Sequence, residues 1–178
     1  RELSGISSNY RADNDLGSYL AASGVVGIEG IDTRELVLRI RDAGAMNGII
    51  STEDFDSSSL MRKVSAVPSM QGLDLVSDVT CEKLHRFKTS RKPVAEARPS
   101  FNIAAFDFGI KRNILELLTA QGLEVTVVPA TTSAEDIHAM QPDGVFCSNG
   151  PGDPAAVGYA IEIIRSLIGR YPMFGICL

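Results

Sequence analysis

The second half of the chain alternates short β-type apolar runs with stretches of helical spacing. Residues 101–106 form an apolar run, and Asp107-Phe108-Gly109 follows. Ile110, Ile114, Leu117 and Leu118 then share one helical face up to Gly122. Residues 125–128 are a β-branched run closed by Pro129, and Thr132 with Glu135 has the spacing of a capping box for a helix through Met140. A third strand is predicted over 144–147. Asp153 is placed as an N-cap with Pro154 at the first helical position, and Tyr159, Ile163, Ile164 and Leu167 continue that helix toward a fourth strand at 172–176. Four strands alternating with three helices predict right-handed βαβ crossovers, a parallel sheet, and a ligand site beyond the carboxyl ends of the strands.

The first half is less regular. Residues 25–28 and 46–50 have strand character, Asp32 caps a helix through Ala43 that Gly44 stops, and 57–67 form a second helix. The expected organisation is a smaller mixed α/β domain over 1–80, a linker over 81–99, and an α/β domain over 100–178. The linker assignment rests on the charged, proline-punctuated run from Cys81 through Pro93 to Pro99. Its basic residues Lys88, Arg91, Lys92 and Arg98 fit a solvated linker, with partner docking as the alternative.

Composition narrows the function classes. With 44% hydrophobic residues in 178, the chain can bury a core, and no apolar stretch approaches the roughly 20 residues of a membrane span. A net charge of -5, from 17 basic and 22 acidic residues, argues against nucleic acid as a partner. Cys81, Cys147 and Cys177 are widely spaced and odd in number, as free thiols of a reducing cytoplasm would be. No clustered metal-ligand spacing stands out.

Two segments fall where a parallel sheet binds ligands. In Ser148-Asn149-Gly150-Pro151-Gly152-Asp153-Pro154, the two glycines expose backbone N–H groups to close approach, which suits an oxyanion hole. An ordinary strand-to-helix turn fits the same residues. A phosphate cradle is disfavoured, because Asp153 puts negative charge at the helix start and a P-loop Lys-Ser/Thr is missing. The second segment, Gly175-Ile176-Cys177-Leu178, is the first half of a nucleophile elbow, although a cysteine ending an apolar strand is also an ordinary small hydrophobe. His85, in the linker, and His138, on a helix whose neighbours Gln141 and Pro142 are expected at the surface, are expected to be solvated side chains rather than bases. Asp107-Phe108-Gly109 matches the kinase magnesium motif by string alone.

These residues carry a family resemblance. The 148–154 loop followed by Phe174-Gly175-Ile176-Cys177-Leu178 resembles class I glutamine amidotransferase domains. The 105–115 and 128–136 segments, Ile31-Asp32-Thr33-Arg34-Glu35-Leu36, and Gly44-Ala45 with Asn47-Gly48 resemble, within that class, the small-chain family of carbamoyl-phosphate synthetases. The resemblance implies a three-layer parallel-sheet glutaminase domain, incomplete here, preceded by part of a smaller N-terminal domain. It implies Cys177 as the nucleophile on glutamine, Gly150 and Leu178 as oxyanion donors, and Gly150, Gly152 and Leu178 as substrate-binding residues. It also implies ammonia transfer to a large chain that uses ATP and Mg to make carbamoyl phosphate for arginine and pyrimidine synthesis, with no cofactor in this chain. In the family the activating histidine and glutamate follow the nucleophile, so this polypeptide is expected to be an internal fragment, inactive alone. The competing readings are another class I amidotransferase and a non-catalytic interaction domain.

Overall fold

The computed structural model describes residues 2–10, 12–89 and 100–177. The chain divides into two compact units, Arg1–Ser69 and Met70–Leu178. Residues 70–89, expected as the end of the first domain and the start of the linker, therefore pack with the second unit.

The first unit has three helices: α1 (Leu16–Ala22), α2 (Thr33–Ala43) and α3 (Ser57–Ala66). Each opens on an aspartate whose carboxylate accepts backbone N–H groups of the first turn, Asp15, Asp32 and Asp56 in turn. Gly44 ends α2 at φ 85°, a conformation that only glycine takes without strain. The predicted strands at 25–28 and 46–50 do not form: Val25, Val26, Ile28, Met46, Ile49 and Ile50 are exposed. A β-type run becomes a strand only where another strand supplies its ladder, and none is present among the described residues of this unit.

The second unit is a five-stranded sheet in the order β1 (His85–Arg86), β3 (Glu124–Pro129), β2 (Asn102–Asp107), β4 (Gly144–Cys147), β5 (Met173–Gly175). The four predicted strands pair in parallel, and β1, lying within the expected linker, adds an antiparallel edge through His85 opposite Val127 and Arg86 opposite Thr126. Alternation along the strands splits the core between two faces. Ala104, Phe106, Val128, Val145 and Cys147 face α6 (Ala134–Met140) and α7 (Gly158–Leu167), which contribute Ile137, Ala160 and Leu167. On the other face Ala105, Val125, Val127 and Phe146 pack with Leu115 of α5 (Arg112–Ala120).

Several local expectations are corrected. Leu115 is buried, whereas Leu117 is 49% exposed, so the buried face of α5 is rotated from the predicted one. The N-cap of α6 is Ser133 rather than Thr132, with Ser133 Oγ accepting from Asp136 N at 3.1 Å. Asp153 and Pro154 open a single 3-10 turn (Pro154–Ala156) rather than α7 itself, which begins after Val157. A short helix, α4 (Val76–Val79), precedes β1. Among the described residues no helix is long and apolar enough to cross a membrane.

Candidate active site

Parallel pairing carries the 107–111, 148–153 and 176–177 segments to the same end of the sheet, because β2, β4 and β5 are neighbours and point the same way. β4 and β5 are in register through Cys147 opposite Gly175, and Ile176 N continues the ladder by donating to Cys147 O at 3.1 Å. Cys177 thus leaves the sheet alongside the start of the glycine loop. It is exposed and has φ 80°, which non-glycine residues rarely adopt. Strain at the residue after a parallel strand is the backbone signature of a nucleophile elbow. Leu178, expected as the second oxyanion donor, lies outside the described residues, as do Arg91, Lys92 and Arg98.

The glycine loop is held from below by two side chains. Ser148 is fully buried; its Oγ accepts from Phe108 N at 2.9 Å and donates to Asn149 O at 2.8 Å. Asn149 bridges to the loop after β2: its Nδ2 donates to Gly109 O at 3.1 Å, and its Oδ1 accepts from Lys111 N at 3.3 Å. The β2 loop in turn rests on Asp107, buried at the strand end. Asp107 Oδ1 accepts from Gly109 N at 2.9 Å and Ile110 N at 2.8 Å, while Oδ2 accepts from Cys81 N at 2.9 Å. Gly109 has φ 112°, and a Cβ there would stand 3.1 Å from both Pro151 Cδ and Val79 Cγ2.

Asp107-Phe108-Gly109, whose match to the kinase magnesium motif is by string alone, supports the loop carrying Gly150. An acidic residue at the end of a parallel strand, followed by a glycine, was the available signal. The 72–81 segment was missed altogether. Gly152, at φ 85°, lies against it, with an added Cβ only 3.3 Å from Leu73 O and from Leu75 Cβ. Nothing in the sequence pairs these segments, because the contact spans some eighty positions.

The histidines lie elsewhere. His85 is on the edge strand, its Nδ1 3.2 Å from Lys83 O. His138, expected to be solvated, is half-buried: Nδ1 is 2.7 Å from Tyr171 Oη and Nε2 is 3.1 Å from Arg170 Nη1. Arginine can only donate, so Nε2 accepts and Nδ1 carries the proton given to tyrosine. Pro142, expected at the surface beside it, is buried. This cluster sits where β5 begins, opposite the loops. An apolar hollow of about 410 Å³ also belongs to that end, lined by Phe101, Gly144 and Pro172 together with Phe146 and Phe174. It lies at the other end of the sheet from the polar loops.

The thiols differ in environment. Burial pushes Cys147 up to about 11. Cys81 is also raised to about 11, by burial first and then by the charge and hydrogen bond of Asp107. Both are held protonated at neutral pH, which leaves Cys177 as the exposed thiol.

Comparison with known sequences agrees with the order of these parts. Residues 104–178 match the family described as Glutamine amidotransferase class-I, and residues 1–50 match Carbamoyl-phosphate synthase small chain, CPSase domain. The carbamoyl phosphate synthase small chain of Syntrophotalea carbinolica is 50% identical over 177 residues, covering 96% of this chain and 47% of its own length. That of Chlorobaculum tepidum is 48% identical over 181 residues, covering 100% and 48%. The chloroplastic small chain of Oryza sativa is 40% identical over 183 residues, covering 100% and 41%. The chain thus spans about half the length of these relatives or less. With a class-I amidotransferase segment on a parallel sheet and a CPSase-domain segment before it, the sequence matches the carbamoyl phosphate synthase small chain family along almost its whole length.

Proposed function

We propose that this chain is the part of a carbamoyl phosphate synthase small chain that bears the glutaminase nucleophile, Cys177. The observation that carries the reading is the strained, exposed cysteine at φ 80° after a parallel strand, next to the strand that launches the glycine loop. In this reading the Cys177 thiolate adds to the side-chain carboxamide carbon of glutamine, and the carbonyl electron pair moves to oxygen. Backbone N–H groups of Gly150 and Leu178 hold that oxyanion, each such donor being worth about 10² to 10³ in rate. Gly152 lines the glutamine site. Collapse of the adduct breaks the C–N bond, and nitrogen takes a proton to leave as ammonia. Water then cleaves the thioester, returning the thiol and releasing glutamate. The relatives' names, as synthase small chains, support a large chain as the partner; in this reading that partner consumes the ammonia with ATP and Mg, and the assembly works in the cytoplasm.

The test is Cys177→Ser in the natural protein that carries this chain, paired with its large chain. Glutamine hydrolysis is expected to fall to background while synthesis supported by added ammonia persists. A glutamine-like chloroketone should label the wild type at Cys177. Undiminished hydrolysis by the variant, or labelling at Cys81 or Cys147 instead, would refute the assignment.

A further inference from the structure

The glycine loop is clasped from outside the sheet by the 72–81 segment. Asp153 uses its two carboxylate oxygens differently: Oδ1 accepts from Ala155 N at 2.9 Å, closing its own turn, while Oδ2 accepts from Gly72 N at 3.1 Å. Gly72 has φ 78°, so the segment bends through a conformation suited to glycine as it presents that N–H. Along the same segment Leu73 and Leu75 abut Gly152, and Val79 abuts Gly109, which itself touches Pro151. The segment is anchored at several points. Thr80 Oγ1 accepts from Ala130 N at 2.9 Å and Cys81 N donates to Asp107, while within the segment Asp74 Oδ1 accepts from Val76 N at 3.0 Å and Ser77 N at 3.1 Å. The Tyr159 phenol of α7 is raised by burial and by its hydrogen bond to Asp74, which adds an anchor on the helix that follows the loop.

We propose that Asp153 is a positioning residue for glutamine hydrolysis, setting where the Gly150 N–H points by tying the loop to Gly72 of the preceding segment. The inference rests on the glutaminase reading above. An oxyanion donor acts only when aimed at the position the oxygen will take. The end of β4 fixes Ser148, but from Gly150 to Asp153 the loop has left the ladder. Its path there is set by the walls it touches, and Asp153 supplies a directional polar tie across that contact. Loss of the tie should therefore lower turnover without weakening the binding of ground-state glutamine, since the misaimed group matters most in the transition state.

Asp153→Ser separates the two jobs of the carboxylate, because serine still caps its own turn but has no second oxygen for Gly72. In the natural protein with its large chain, active sites are counted by Cys177 alkylation so that misfolded material does not enter kcat. The variant is expected to lose on the order of tenfold in kcat for glutamine hydrolysis, with KM changed less than about twofold. Hydrogen exchange at the Gly72 amide should quicken, while the melting temperature stays near that of the wild type. Tyr159→Phe, which frees Asp74 without touching the loop, should lower kcat in the same direction by a smaller factor. Wild-type kcat in Asp153→Ser despite faster Gly72 exchange would overturn the proposal, as would a fall confined to KM. A wild-type protein unable to hydrolyse glutamine would instead overturn the underlying reading of the site.

Discussion

Replacing Asp107 by asparagine tests whether one carboxylate joins the 72–81 segment to the sheet. Asp107 is 7% exposed and accepts three backbone N–H groups, two at Oδ1 and one, from Cys81, at Oδ2. An asparagine has one acceptor oxygen. With that oxygen at the Oδ1 position, Gly109 and Ile110 stay satisfied and the amide nitrogen faces Cys81 N–H, donor against donor. A hydrogen bond to a charged group contributes about 1.5–3 kcal/mol, and an abandoned buried donor costs about 1–3 kcal/mol. The expected loss is therefore about 2–3 kcal/mol. Asp107→Ala, which releases all three donors, should cost about 3–5 kcal/mol, less than three full penalties because Cys81, Gly109 and Ile110 are only partly buried. Urea unfolding followed by two probes gives the difference as a midpoint shift at constant slope. The same substitution acts on Cys81, whose thiol is raised from 9.0 to about 11 by burial first and then by the Asp107 charge and hydrogen bond, of which only the Asp107 part is removed. Asp107→Asn should bring it down toward the ordinary value, seen as an alkylation-rate profile displaced to lower pH. A variant within about 0.5 kcal/mol of the wild type and an unchanged Cys81 profile would refute the reasoning, that margin being ordinary for inconsequential surface changes.

Other substitutions probe the remaining parts. Gly109→Ala places a Cβ 3.1 Å from Pro151 and Val79 at φ 112°, and should cost about 2 kcal/mol or more in thermal or urea unfolding. Phe146→Ala empties a residue that is 2% exposed at the centre of the sheet, with an expected cost of about 3–5 kcal/mol by denaturant unfolding. Tyr171→Phe removes the acceptor for His138 Nδ1 and should cost about 1 kcal/mol while leaving glutamine turnover unchanged, since the pair lies at the far end of the sheet. Stability should also fall in alkali. Cys81 and Cys147 have folded pKa values near 11, above their ordinary 9.0, so their contribution is complete below about pH 9 and is lost as pH rises through about 11. Cys147→Ala should flatten that decline in an unfolding series from pH 8 to 11, and an unaltered slope would show that the thiol contributes nothing.

The sequence alone determined the alternation that builds the second unit. Runs at 101–106, 125–128, 144–147 and 172–176 match the four parallel strands to within one residue at each end, and the N-caps Asp32 and Ser133 differ from expectation by at most one position. These features are local: hydrophobic period, capping oxygens and the φ tolerance of glycine act within a few residues. The positions of Cys177 and of the glycine loop at the strand ends were legible for the same reason, since a strand's direction and a turn's composition are written side by side. Tertiary structure decided the rest. The runs at 25–28 and 46–50 have strand composition and remain unpaired, while the polar residues His85 and Arg86 become a strand because β3 offers a free edge. Leu117 and Leu115 exchange roles on α5 because the sheet, rather than the helix, selects which stripe is buried. The clasp on the glycine loop is the least local feature, joining Gly72 to Asp153 and Cys81 to Asp107. A backbone N–H carries no mark in the sequence of which distant carboxylate will take its proton, so those ties exist only once the chain has brought them together.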